Sequence, residues 1–141
     1  MIEATFKDAK RSGVYRAPER GAVQRAVRAA GLALAGIDLS DVRDKSALLE
    51  RVAAALAFPG WYGANWDALE DCLTDLSWRS PGGDVLVLEG QQVMNLPPED
   101  CATFLDILRD ASAYGAQQGR PFFAVFIDPA RRLGVPDLPL A

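Results

Sequence analysis

Three short apolar runs constrain the fold of this 141-residue chain more than any other feature of its sequence. They are Leu32–Leu39, Val85–Leu88 and Phe122–Ile127, and segments with helical periodicity lie between them. Short apolar runs bounded by turn residues are typical of strands that are buried on both faces. Because strands separated by helices pair in parallel through right-handed crossovers, the sequence predicts an α/β layered domain with a three-stranded parallel sheet packed with helices.

The length of the chain predicts one folded domain with a short segment at each end. At 141 residues, half of them apolar, a single core is expected. We assign residues 31–128 to this domain, in which Asp44 is placed to cap a helix that continues through Leu56. Residues 1–30 form an N-terminal extension with a short extended piece and one helix, and residues 129–141 form an irregular tail.

The net charge of the chain is concentrated in one segment. Residues 61–78 contain four acids and no Lys or Arg, so they carry the whole formal charge of −4. Asn65 can cap a helix there, and a carboxylate in the first turn interacts favourably with the helix dipole. At 3.6 residues per turn this helix has one apolar face and one polar face. The polar face carries Asp67, Glu70, Asp71, Thr74 and Asp75.

The spacing of these acids is unfavourable for the helix itself. Asp71 has a like charge four residues away on each side, at Asp67 and Asp75, and each such pair costs about 0.2–0.5 kcal/mol. A basic partner would offset this repulsion, so the acidic face is a candidate binding surface. The alternative is an acidic face that is only solvated, which is the usual environment of charged side chains.

Two aromatic residues, Trp61 and Tyr62, precede the acidic helix in a loop that contains Pro59, Gly60 and Gly63. Aromatic side chains beside acids are typical of protein interfaces. At least one of the two rings is expected to cover the core, which leaves the other for a partner, and the sequence does not distinguish them.

The residues of this region resemble the signature of the barstar family of intracellular ribonuclease inhibitors. The matching pattern is Tyr62-Gly63-x-Asn65-x-Asp67-Ala68-Leu69-x-Asp71-Cys72-Leu73-Thr74. The order of elements extends the resemblance over about residues 31–128. It implies that the protein inhibits a barnase-type ribonuclease by covering the basic catalytic cleft with the acidic helix and the loop before it.

The resemblance also implies a role for individual residues. Asp71 matches the central anchor in the phosphate site of the enzyme, Asp67 matches a second acid that pairs with basic groups, and Asp110 matches an acid of the long helix that adds a contact. The partner-binding residues we assign are Trp61, Tyr62, Gly63, Asn65, Asp67, Glu70, Asp71, Thr74, Asp75 and Asp110.

This chain departs from the family pattern at several positions around that surface. Glu70 and Leu76 occupy positions where the family has tryptophan, Trp61 replaces a tyrosine, and Tyr114 replaces an acid of the long helix. Changes at the rim of an interface alter specificity more readily than the mode of binding. The second hypothesis is therefore a barstar-like binding module, or an immunity protein, for a different basic protein or toxin.

The composition argues against an enzyme and predicts no cofactor. The chain has no histidine, which removes Ser/His and Cys/His catalysis and histidine-ligated zinc, and no phosphate-binding glycine motif follows a strand. The remaining enzyme hypothesis is a Mg²⁺-binding or acid/base cluster of Asp67, Asp71 and Asp110. We interpret Cys72 and Cys101 as reduced core residues because they occupy apolar helical positions.

The predicted partner is a small basic ribonuclease or another basic toxin protein. Seven of the fifteen Lys and Arg residues lie in the first thirty positions, so nucleic-acid binding by that helix is an alternative, but the acidic net charge disfavours it. No apolar stretch is long enough to span a bilayer, and the N-terminus lacks the apolar core of a signal peptide. A cytoplasmic protein is expected.

Overall fold

Four parallel strands form one sheet in the computed structural model, which describes residues 2–60, 63–79, 82–90 and 95–139. The strands are β1 (Gly13–Ala17), β2 (Ala33–Asp38), β3 (Asp84–Glu89) and β4 (Phe122–Ile127), in the spatial order β1-β4-β3-β2. The three apolar runs of the sequence are β2, β3 and β4. The predicted α/β architecture with a parallel sheet is confirmed.

Helices cover both faces of the sheet. They are α1 (Ile2–Lys7), α2 (Arg20–Ala30), α3 (Lys45–Leu56), α4 (Trp66–Asp75) and α5 (Pro98–Gln118), and residues 9–11 form one 3₁₀ turn. On one face, α1 and α2 bury Phe6 and Val23 against β3 and β4. On the other face, α3, α4 and α5 form a larger core that includes Leu73 and Leu108. Because successive strand residues point to opposite faces, the two central strands supply side chains to both cores.

The sheet has four strands and not three, because β1 joins it. An extended piece was expected in this region, but Tyr15 and Arg16 interrupt any apolar run there. Residues Gly13–Ala17 nevertheless pair in parallel with β4, and the ring of Tyr15 stacks on Phe123 with 6.1 Å between ring centroids. Main-chain hydrogen bonds hold this strand in the sheet. They do not require particular side chains, so the sequence does not indicate the pairing. The N-terminal extension also contains α1 beside the expected helix, α2.

The C-terminal tail runs along the outer edge of β1. The amide of Arg16 donates to the carbonyl of Pro136 at 2.8 Å, and the amide of Leu138 donates to the carbonyl of Arg16 at 2.8 Å. The buried Arg16 guanidinium donates to the carbonyl of Asp128 (2.9 Å) and to Asp137 Oδ1 (2.5 Å). The tail is therefore irregular but packed, and the boundaries we assign to extension, domain and tail stay a prediction.

A buried ion cluster ties the connection after α4 to the sheet. Asp84, at the start of β3, has no solvent exposure. Its Oδ1 accepts from Arg79 Nε at 2.6 Å, and its Oδ2 accepts from Arg120 Nη2 at 2.6 Å. Since Arg79 follows α4 and Arg120 precedes β4, one carboxylate fixes two connections at the same end of the sheet.

Candidate functional site

The helix that carries the acidic residues begins where the sequence predicts. The Asn65 side chain accepts a hydrogen bond from the amide of Ala68 at 2.7 Å, which confirms it as the N-cap of α4. Asp67 lies in the first turn and is exposed, as are Gly63 and Asn65. The N-terminal end of α4 therefore presents its polar groups to solvent.

The apolar face of α4 fixes the direction in which the acids point. Leu69, Cys72 and Leu73 are buried in the larger core. Cys72 is a free thiol, and burial, with the nearby carboxylates, raises its pKa. Because the helix is anchored along this face, its other face is held outward as a rigid surface.

Three aspartates form a row on the outward face of α4. Asp67, Asp71 and Asp75 are all exposed and succeed one another at one-turn intervals. Among the residues that the structure describes, none of the three forms an ion pair. The chain leaves these charges uncompensated, as expected for carboxylates that a cationic partner is to neutralise.

A fourth acid of α4 contacts the long helix. The carboxyl group of Glu70 is half-buried and hydrogen-bonded to that of Asp110 on α5. Burial, followed by the hydrogen bond and the charge of Asp110, raises the pKa of Glu70 above its usual value. The contact therefore places the carboxyl group of Asp110 beside the acidic face of α4.

Thr74 is less available than the aspartates. It is half-buried, and its hydroxyl donates to the carbonyl of Glu70 at 2.9 Å. This bond stays within the helix, so a partner would meet an acceptor oxygen and a methyl group and no free donor.

The structure also shows an exposed aromatic ring that the set of site residues from the sequence does not contain. Tyr114 is 44% exposed and lies one turn after Asp110 on α5. Residues four apart on a helix share a face, so this ring lies on the same face of α5 as Asp110. The signal in the sequence was its spacing from Asp110.

Trp61 and Tyr62, which the sequence analysis places at the interface, lie outside the described residues. The part of the loop before them begins at Phe58, whose ring packs edge to face on Trp78 with 5.9 Å between centroids. Within the described parts of the chain, no group of three His, Cys, Asp or Glu residues is placed to hold a metal ion, and no helix could cross a membrane.

These features define an α/β protein with a rigid, acidic, helix-based surface. The family model for Barstar (barnase inhibitor) matches residues 32–127, and the chain belongs to the barstar family. This match covers β2 to β4 together with α3, α4 and α5. A search of curated proteins found no significant match.

Proposed function

We propose that this protein inhibits a small, basic ribonuclease of the barnase type. In this proposal α4 and the loop before it lie across the catalytic cleft, and carboxylates take the place of RNA phosphates. The observation that carries the proposal is the exposed, unpaired row of aspartates on a helix inside the matched family region. Such an inhibitor would act in the cytoplasm, where it protects the RNA of the cell.

Asp71 is the proposed anchor because it lies at the centre of the row. It has an acid one turn away on each side, and the Glu70–Asp110 pair lies next to it. A carboxylate that is desolvated against Arg or Lys makes charge-assisted hydrogen bonds. Removing one partner of such a pair costs about 2–5 kcal/mol, a range to which measurements on barnase and barstar themselves contribute. Trp61, Tyr62, Gly63 and Asn65 would contact the enzyme from the loop.

A second candidate, a different basic protein or toxin as the partner, is favoured by the Glu70–Asp110 pair. Where the family has a tryptophan, this chain has a half-buried carboxyl group that contacts Asp110 of a second helix. A partner that binds here must match this acidic contact, which a cation does best. This requirement selects a partner with a matching basic residue at one defined place.

The experiment is a titration of the purified chain into a barnase-type ribonuclease, with RNA cleavage as the readout. We expect stoichiometric inhibition by the wild type and a loss of at least about 2 kcal/mol of binding free energy in Asp71→Ala. Glu50→Ala is the matched control because Glu50 is an exposed acid on α3, outside the site. Equal affinity of Asp71→Ala and wild type would contradict the assignment of Asp71, and inhibition that Glu50→Ala also loses would show a nonspecific charge effect.

A further inference from the structure

One side chain links the two ends of the segment that carries most of the candidate site. Leu56 is the last residue of α3, and Trp78 follows the end of α4. The indole Nε1–H of Trp78 donates to the carbonyl of Leu56 at 3.0 Å. The 21 residues between them, 57–77, include every site residue that we assign except Asp110.

Two contacts hold the beginning of this closed segment against Trp78. The carbonyl of Leu56 is in the last turn of α3, where carbonyls lack partners within the helix, so the indole supplies the missing donor. The ring of Phe58 meets the indole edge to face, with an interplanar angle of 84°. An aromatic pair of this geometry contributes about 0.5–1.5 kcal/mol beyond its buried area.

Trp78 itself is fixed from the other side. The next residue, Arg79, is bound to the fully buried Asp84 at 2.6 Å, and Asp84 is also bound to Arg120. The indole is therefore attached to the sheet through its neighbour. The start of the loop therefore packs on Trp78, and Trp78 is linked to the sheet through Arg79.

The closed segment contains backbone conformations that need support. Ala57, Ala64 and Leu76 have φ angles of 52°, 52° and 48°, in the left-handed region that residues with a Cβ rarely adopt. Such residues persist only where the surrounding structure holds them. One lies next to Leu56, one precedes the cap of α4 and one ends α4, so all three lie within the segment that Trp78 links to Leu56.

We propose that Trp78 is a positioning residue for the interface, which rests on the proposed function. By its bond to Leu56 and its contact with Phe58, it holds residues 57–60, the described start of the loop before α4, in the conformation that binds. A preorganised loop loses less conformational freedom when it binds, and the gain appears as affinity. Trp78 acts on the partner through the loop and not through direct contact.

The test compares variants in binding to a barnase-type ribonuclease and in amide hydrogen exchange of the free chain. Trp78→Phe keeps an aromatic ring against Phe58 but removes the indole donor, and Phe58→Leu removes the ring pair while leaving the donor. Trp66→Phe is the matched control, since Trp66 is a half-buried tryptophan of α4 that packs on the core and lies under the Lys45 ammonium group of α3. Asp71→Ala tests the proposed function in the same assay.

We expect Trp78→Phe to weaken binding about tenfold and Trp66→Phe to change it less than about twofold. In a double-mutant cycle, the effect of Trp78→Phe should largely disappear in a background in which Trp61 and Tyr62 are both changed to Ala, since the aromatic loop contact is then absent. A loss of global stability alone would not produce this coupling. In the free chain, amides of residues 57–65 should exchange at least about tenfold faster in Trp78→Phe, while those of β3 and β4 stay unchanged.

The outcomes separate the two proposals. If Asp71→Ala loses inhibition while Trp78→Phe binds like wild type, or Trp66→Phe loses as much as Trp78→Phe, the proposed function stands and the role of Trp78 is wrong. If neither the wild type nor any variant inhibits the ribonuclease, the proposed function fails, and hydrogen exchange alone then tests the role of Trp78. Unchanged exchange of residues 57–65 in both Trp78→Phe and Phe58→Leu would overturn the positioning role in either case.

Discussion

Asp84 and Asp71 show two opposite uses of the same side chain. Asp84 has no exposure and is bound by two arginines, each at 2.6 Å. Asp71 is exposed and, among the described residues, has no cationic neighbour within ion-pair distance, although acids stand one turn away on both sides. The first charge is compensated inside the chain and serves the fold. The second is left without an ion pair on a rigid helix, where it stays accessible.

Among the variants that test this comparison, the largest effect is expected on substitution of the buried carboxylate of Asp84. Asp84→Asn should lower the free energy of unfolding by about 3 kcal/mol, because Arg79 and Arg120 then lose their shared anion in a site where little water can replace it. Urea unfolding followed by circular dichroism measures the change. Asp106→Asn is the control, because its carboxylate is 72% exposed and paired with Arg109 on the surface, so it should shift stability by less than about 1 kcal/mol. Equal changes in unfolding free energy for the two variants would contradict the claim that the buried charge stabilises the fold more than an exposed one.

A smaller effect is expected from the contact of Glu70 with Asp110. Because the pKa of Glu70 is raised in the folded chain, this group stabilises the fold at low pH and loses that contribution as the pH rises through its folded pKa. A cationic partner favours the ionised form, so binding should release a proton, and affinity should fall by at most about tenfold per pH unit below the raised pKa.

Calorimetry in buffers of different ionisation enthalpy measures this proton release. Glu70→Gln cannot release the proton, so its affinity should depend less on pH than that of wild type with the same enzyme. The comparison uses slopes, because the substitution also changes the contact itself. Identical slopes would show that Glu70 does not change its ionisation on binding.

The smallest effect sharpens the comparison most directly. Asp71→Asn removes the two like-charge pairs with Asp67 and Asp75, so the free chain should become more stable by about 0.4–1 kcal/mol while its inhibition of the ribonuclease is lost. Thermal unfolding of the free chain and the inhibition assay measure the two sides. A loss of stability in this variant would show that Asp71 serves the fold after all.

The sequence predicted the elements that have a continuous apolar or periodic pattern, or that begin at a local capping residue. Apolar runs predicted β2, β3 and β4, and Asn65 predicted the start of α4, since cap and helix lie within four residues of each other. An extended piece was expected at β1, but its place in the sheet was missed because its five residues pair through the main chain with a strand more than 100 positions later.

The site shows the same division between local and distant signals. Helical spacing predicted the face that carries Asp67, Asp71 and Asp75. The contact of Glu70 with Asp110 and the bond of Trp78 to Leu56 join residues that no sequence period relates, because the packing of separate helices decides them. The assignment of individual residues to the partner stays a prediction.

The pairing of β1 with β4 has a consequence for the synthesis of the protein. Gly13 lies opposite Phe123 in the register, so these residues are 110 positions apart along the chain. At the usual speed of translation this distance corresponds to about 5–20 s, during which the backbone of β1 has no strand beside it. The edge strand β1 is therefore synthesised well before its neighbour β4. It cannot pair in the sheet until almost the entire chain has been made.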